Sequence, residues 1–111
     1  MTKEQLRNYR KIKNEYRQIE QRIRLLESQH ESEEDILQPL REFYREKLKR
    51  LTDAQLAIEL AIDALDYEER KLIRLRYFDG LPWHRVAAAV HYSEPHTRRL
   101  HGEILQKLKN L

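Results

Sequence analysis

The chain has 111 residues, enough for one small domain or for a small domain with an extended element. Charged residues make up 37% and apolar residues 40%, with only two Gly and three Pro, a composition that predicts an all-α protein with long helices. The lack of cysteine excludes disulfides and thiolate metal sites, and no apolar run has the length needed to span a bilayer.

The N-terminal segment is predicted to form one long helix from about residue 3 to 28. Thr2 and Gln5 have the spacing of a capping box, which satisfies free amide donors at a helix start. Apolar residues then recur at alternating steps of three and four, the heptad pattern of a helix that packs along a partner helix. These seam positions are Tyr9, Ile12, Tyr16, Ile19, Ile23 and Leu26. The seam predicts a homodimer through this helix, or packing against a second helix of the same chain.

A connector is expected after Ser28. It contains the acidic run from Glu31 to Asp35, interrupted by one serine, and it ends near Gln38. Pro39 follows, and proline disfavours a helical residue before it but suits the first turn of a new helix. The sequence therefore predicts that a second helix begins near Pro39.

Apolar residues continue along this second helical region as far as Leu65. Thr52 or Asp53 is able to cap a fresh segment, so the pattern fits either one bent helix or two. Residues 1–64 as a whole are predicted to be a helical, coiled-coil-like segment, and residues 65–111 a separate domain.

Start and stop signals divide residues 65–111 into three further helices. In chain order they are the capping box of Asp66 and Glu69, the Asp79-Gly80 turn, Pro82 at a helix start, the His91-Tyr92 turn and the cap Ser93. The last two helices are therefore expected to cover 82–90 and 94 to about 109, with only a short turn between them.

The short turn predicts a helix-turn-helix from Leu81 to Leu108, because helices joined so closely must cross at a steep angle. The crossing needs small residues where the two backbones approach, and Ala87, Ala88 and Ala89 provide them. The positions with the spacing to pack inward are Val86, Val90, Tyr92, Thr97 and Leu100.

The start of the last helix is left facing outward, where it is able to enter a major groove. Its outward residues are Ser93, Glu94, Pro95, His96, Arg98 and Arg99. Either arginine is able to read a guanine edge or to hold phosphate, and Glu94 either accepts from a cytosine amino group or repels the backbone. Trp83, His84 and Arg85 are placed to touch backbone phosphate, although Trp83 also suits a packing role.

Charge supports this interpretation only weakly. Residues 91–111 carry four Arg or Lys against two Glu, whereas residues 51–90 carry seven acids against five bases. Such a bias also fits a solvated helix face. The His spacings do not give a metal set, and no nucleophile elbow, phosphate loop or catalytic carboxylate pair is found, so no metal, no cofactor and no enzyme activity is expected.

Residues 65–108 resemble region 4 of bacterial sigma factors. The motifs that carry the resemblance are Arg76-Tyr77, Gly80-Leu81, Val86-Ala87 and Ser93. The Gly-Leu-Pro-Trp stretch, the long charged first helix and the chain length are closer to small phage transcriptional regulators of the RinA and ArpU type. His91 stands where such domains usually have Gly, so a positive φ there is expected to cost about 1 kcal/mol.

The resemblance implies a cytoplasmic transcriptional regulator that binds double-stranded DNA and contacts RNA polymerase. Lack of an apolar leader-like stretch in the first residues agrees with a cytoplasmic location. The alternative is a helical interaction protein that binds RNA polymerase or another protein without reading DNA.

Overall fold

A computed structural model describes residues 1–28 and 36–110 of the chain. The fold is all-α, as the composition predicts. Its helices are α1 (Lys3–Arg7), α2 (Tyr9–Ser28), α3 (Gln38–Asp63), α4 (Tyr67–Ile73), α5 (Trp83–Val90) and α6 (Glu94–Lys109). A π-helical turn, Arg74–Phe78, extends α4. Within the described residues, no helix is both long enough and apolar enough to cross a membrane.

Both predicted capping boxes are present. The Thr2 side chain accepts a hydrogen bond from the Gln5 amide, and the Gln5 side chain accepts one from the Thr2 amide. Asp66 and Glu69 make the same reciprocal pair at the start of α4. Each box satisfies two amide donors that a helix start leaves open, which fixes where α1 and α4 begin.

One helix boundary differs from the prediction, and the structure decides between the two alternatives for the second helical region. The first helix is interrupted at Asn8, which separates α1 from α2, so it is not one continuous helix from residue 3 to 28. The second helical region is one helix, α3, and neither Thr52 nor Asp53 begins a new segment. The Thr52 hydroxyl instead donates to the Leu48 carbonyl four residues earlier, a bond within the helix that removes its role as a cap.

The helical segments form two compact units, Met1–Arg10 with Ala57–Leu111 and, separately, Lys11–Leu56. The division into residues 1–64 and 65–111 stays a prediction, while the start of the chain packs with residues 57–111. Tyr9 shows this clearly. Its ring stacks on Phe78 with 3.8 Å between centroids, and its hydroxyl donates to Glu59.

In the unit Lys11–Leu56, part of the heptad seam is buried within one chain. Ile19 and Ile23 are buried, and a second set of contacts holds the C-terminal end of α2. There the buried Arg41 guanidinium donates twice to the Leu26 carbonyl, at 2.8 and 3.1 Å, which satisfies a carbonyl that a helix end leaves open. The seam therefore does not need a second copy for these two side chains to be covered. The predicted acidic connector, Glu31 to Asp35, lies outside the described residues.

The other unit has an apolar core drawn from the first helix, the end of α3 and the last three helices. Its fully buried side chains are Leu6, Ile62, Leu72, Ile73, Val86, Thr97, Ile104 and Leu108. A further bond at the chain start, from the Met1 amine to the Leu108 carbonyl at 2.8 Å, ties α1 to the end of α6. This packing places α1 beside the helices that carry the predicted DNA-binding residues.

Candidate nucleic-acid interface

Helices α5 and α6 are joined by residues 91–93, as predicted. His91 has left-handed backbone angles, φ 63° and ψ 36°, so the cost of about 1 kcal/mol expected for a histidine with positive φ applies here. Its N–H donates to the Ala88 carbonyl, and the Tyr92 N–H donates to the Ala87 carbonyl. This pair of bonds is a Schellman motif and ends α5 abruptly. The corner therefore forms with a histidine where glycine is the less strained residue.

The start of α6 also follows the prediction. The Ser93 hydroxyl accepts a hydrogen bond from the His96 amide at 3.2 Å, and the Thr97 hydroxyl donates to the Ser93 carbonyl at 2.8 Å. Tyr92 is the exception. It was expected to pack inward, but 42% of its surface is exposed and its ring lies edge-on against His96, so that prediction is wrong. Its backbone serves the turn, and its side chain is left outside the core.

Small and branched side chains fill the angle between α5 and α6. Val86, Val90 and Thr97 are buried as predicted, and Leu100 is half-buried. Ala87 is 4% exposed, which agrees with the need for a small residue in this tightly packed corner. The inward face of the corner is therefore apolar and packed.

The outward face at the start of α6 is charged. Arg98 and Arg99 are both exposed, as are Ser93 and His96. The Arg98 guanidinium makes an ion pair with Glu94 at 3.2 Å, one helical turn earlier. Such a pair at the surface is worth less than about 1 kcal/mol, so an incoming phosphate or base edge is able to displace it. Both guanidinium groups are accessible to a ligand.

The residues predicted on α5 are placed differently from one another. His84 and Arg85 are exposed, whereas Trp83 is half-buried and packs its ring edge-on against His101, with 4.6 Å between centroids. The guanidinium groups of Arg76 and Arg98 lie 4.6 and 5.5 Å from the centre of the Trp83 ring. Trp83 thus has a packing role and also links the π-helical turn to the charged face of α6 through cation–π contacts.

His101 belongs to a buried polar pair behind Trp83. Its Nε2 and the Tyr77 hydroxyl oxygen lie 2.6 Å apart and are hydrogen-bonded. Burial, and then the positive charges of Lys3, Arg76, Arg7 and Arg98, lower the pKa of His101 from 6.5 to about 4. The imidazole is therefore neutral at pH 7, and its surroundings are electropositive.

A basic pocket opens on the side of Trp83. It has a volume of about 290 Å³ and is formed by α1, the first turn of α2, the π-helical turn and the start of α5. Its lining residues are Lys3, Arg7, Arg10, Arg76, Tyr77, Gly80 and Trp83. None of these described lining residues is acidic, and four of them, Lys3, Arg7, Arg10 and Arg76, are cationic.

Sequence reasoning missed this basic pocket, although part of a signal was present. Lys3, Arg7 and Arg10 are spaced by four and three residues, which places them on one face of a helix. The apolar seam of that helix does not include these three residues. That its basic face lies beside Arg76 depends on packing between residues more than 60 positions apart, which no local pattern reveals.

The arrangement of potential metal ligands can also be compared with the needs of a metal site. Among residues 1–28 and 36–110, no group of three or more His, Cys, Asp or Glu side chains is arranged to hold a metal ion. His96 and His101 have different surroundings, since the first is exposed and the second is buried beside Tyr77.

The chain belongs to the family described as "Protein of unknown function (DUF722)", whose family model matches residues 1–110. The match therefore includes both compact units, and the description assigns no activity. No match was found among curated proteins or among solved structures.

Proposed function

We propose that this protein is a transcriptional regulator that binds double-stranded DNA through a helix-turn-helix formed by α5, the turn 91–93 and α6. The observation that carries the proposal is the pair Arg98 and Arg99. Both guanidinium groups are exposed at the start of α6, directly after a sharp, well-packed corner. A helix presented in this way fits a major groove with its N-terminal residues toward the bases.

In the proposed mechanism, phosphate contacts supply most of the affinity and the α6 start supplies selectivity. Arg85 and His84 are exposed on the preceding helix and reach backbone phosphate, while Arg98 and Arg99 read guanine edges or hold phosphate. Glu94 restrains Arg98 in the free protein and accepts from a cytosine amino group, or repels phosphate in a wrong register. Trp83 positions Arg98 by the contact of its ring.

The regulatory role rests on the resemblance of residues 65–108 to sigma factor region 4 and of the chain to RinA- and ArpU-type phage regulators. On that basis the protein recruits RNA polymerase to a phage late promoter or a similar site, within the cytoplasm. A homodimer through the N-terminal helix also stays a proposal. Ile19 and Ile23 of the predicted seam are already buried within one chain, so a dimer would have to use other residues of that helix.

The decisive experiment compares duplex binding by the wild type and by the double variant Arg98→Ala, Arg99→Ala. Fragments are first selected from the source genome, and affinity is then measured over a series of salt concentrations. The double variant is expected to bind roughly tenfold more weakly or worse, with a shallower salt dependence, because two groups that contact DNA are lost. A matched control, Lys47→Ala, Arg50→Ala, removes two exposed charges from α3. Equal affinities for the wild type and both variants refute the proposal.

A second candidate function, a helical interaction protein that binds RNA polymerase or another protein, is favoured by a different surface. In the unit Lys11–Leu56, Leu25, Ile36, Leu40 and Phe43 are large apolar residues that are 41–84% exposed. Leu25 and Leu40 line one groove of about 370 Å³. Exposed apolar groups of this kind are typical of protein contact sites. Loss of polymerase co-purification in Leu40→Ser, Phe43→Ser, with duplex affinity unchanged, would assign protein binding to this surface.

A further inference from the structure

The basic pocket beside Trp83 has no role in the interface predicted from the sequence. It joins Lys3, Arg7 and Arg10, from the start of the chain, to Arg76 in the π-helical turn. Like charges brought close together repel each other, so their convergence costs free energy unless a ligand of opposite charge offsets it. A set of four cations with no acid in the lining is therefore suited to an anion.

The pocket is shaped by the backbone as well as by charge. Gly80 has φ +70°, a conformation that glycine adopts readily, and a Cβ at this position would overlap the Arg10 guanidinium. The absence of a side chain at Gly80 lets Arg10 lie directly against the turn. Arg76 is fixed in turn by its hydrogen bond to the Leu81 carbonyl at 3.0 Å. The fold therefore makes room for Arg10 at the turn and holds Arg76 by a hydrogen bond.

One carboxylate that competes for a pocket cation is held by an exposed ion pair. Arg7 makes an ion pair with Glu4 at 3.7 Å, in which both side chains are more than half exposed. An exposed pair of this kind contributes at most about 1 kcal/mol, so a phosphate is able to replace the Glu4 carboxylate. The pocket cations also act on His101. Burial lowers its pKa, and the positive charges of Lys3, Arg76 and Arg7 lower it further because they disfavour another positive charge nearby.

The pocket adjoins the face of α6 that carries the proposed DNA-binding residues. Trp83 lines the pocket, and the Arg98 guanidinium lies 5.5 Å from the centre of the same ring. The cations of the pocket and the Arg98 guanidinium thus share one neighbour, the Trp83 ring. One duplex seated on α6 is therefore able to bring a stretch of its backbone to the pocket.

We propose that the basic pocket of Lys3, Arg7, Arg10 and Arg76 binds backbone phosphate of the duplex that α6 reads, so that the N-terminal helix α1 is part of the DNA interface. This inference rests on the proposed function. The ligand chemistry is the phosphate group, and its source is the DNA backbone rather than a free nucleotide or inorganic phosphate.

The test uses the full chain and the variant Lys3→Gln, Arg7→Gln, Arg10→Gln. Glutamine keeps helix propensity, and Arg76 is left intact because it holds the Leu81 carbonyl. The matched control, Lys47→Gln, Lys49→Gln, Arg50→Gln, removes the same net charge from exposed positions of α3. Urea unfolding of all three proteins verifies that each is folded.

Duplex affinity is measured against salt concentration for the three proteins and for Arg98→Ala, Arg99→Ala. The pocket variant is expected to bind roughly tenfold more weakly or worse, with a log–log salt slope smaller by about 2–3, because each lost phosphate contact removes about 0.9 from the slope. A pocket variant that binds like its matched control overturns the inference and leaves the proposed function intact. If the pocket variant loses affinity but the Arg98 and Arg99 variant does not, the pocket is supported and the α6 assignment is lost.

Trp83 supplies a second readout, because it is the only tryptophan in the chain and it lines the pocket. Addition of duplex DNA is expected to change the fluorescence of Trp83 in the wild type and in the matched control. The change should be smaller in the pocket variant. Inorganic pyrophosphate and a nucleoside triphosphate serve as the other probes. If they alter Trp83 emission at the same concentrations while duplex does not, the phosphate source is a small molecule and the inference is overturned.

Discussion

The Tyr77 hydroxyl and the imidazole of His101 form a buried hydrogen bond of 2.6 Å between the π-helical turn and α6. The pair lies behind Trp83, on the inner side of the basic pocket. Because the imidazole is kept neutral by burial and by nearby positive charge, this bond links the protonation state of one side chain to the packing of two elements.

His101 is expected to make folding stability depend on pH. Its pKa is about 4 in the folded chain, below its ordinary value of 6.5, so between these values the unfolded chain binds a proton that the folded chain does not. The free energy of unfolding should be greatest above pH 6.5 and fall as the pH drops toward 4. The fall attributable to His101 is on the order of 3 kcal/mol at most. Urea unfolding at a series of pH values measures it.

The control for this effect is His101→Gln, which keeps a polar group near Tyr77 and removes the titration. The variant is expected to be less stable at pH 7, because the imidazole ring no longer packs against Trp83. Its stability should nevertheless change less between pH 6.5 and 4 than that of the wild type. Identical pH profiles for the two proteins would show that His101 is not the group responsible.

Glu69 is expected to be the most sensitive acidic residue of α4. It is buried, its side chain completes the capping box with Asp66, and it accepts a hydrogen bond from Lys107 of α6 at 2.6 Å. Glu69→Ala should destabilise the protein by about 1 kcal/mol or more, because the hydrogen bonds that its carboxylate accepts from the Asp66 amide and from Lys107 are lost. Glu69→Gln should cost less, since glutamine also serves at this position of a capping box. Thermal unfolding is the measurement, and the exposed neighbour in Glu68→Ala should change stability by less than about 0.5 kcal/mol.

The two glycines of the chain are expected to respond in opposite directions to alanine. Gly102 lies within α6, and a Cβ there meets nothing within 4 Å, so Gly102→Ala should stabilise the protein by about 1 kcal/mol. Gly80→Ala should destabilise it by about the same amount, because φ +70° strains alanine and Arg10 must move. Denaturant midpoints compare both variants with the wild type. Destabilisation by Gly102→Ala would indicate a close contact at this glycine that the fold does not display.

The parts of the fold with local determinants were predictable from the sequence. Capping at Asp66 and Ser93 and the start of α5 after Pro82 each follow from the residue types themselves, and the structure has all three. Such signals act over three or four residues, so a single sequence contains them in full.

The features that were not predictable depend on contacts between distant residues. Asn8 interrupts the first helix although nothing in the seam requires it, and Thr52 resembles a cap yet donates within α3. The basic pocket was missed for the same reason, since Arg7 and Arg76 come together only when α1 packs beside the π-helical turn. Local propensity is a weak guide wherever tertiary packing decides.

One compact unit joins Met1–Arg10 to Ala57–Leu111, a discontinuous arrangement with a consequence for biosynthesis. Leu6 is fully buried in that unit, yet it leaves the ribosome long before the helices with which it shares a core. Domains generally fold as units during translation, so α1 stays without its native neighbours until residues 57–108 have emerged. The segment Lys11–Leu56 is complete much earlier. The unit Lys11–Leu56 is therefore expected to fold first, and α1 to join the core of the other unit afterwards.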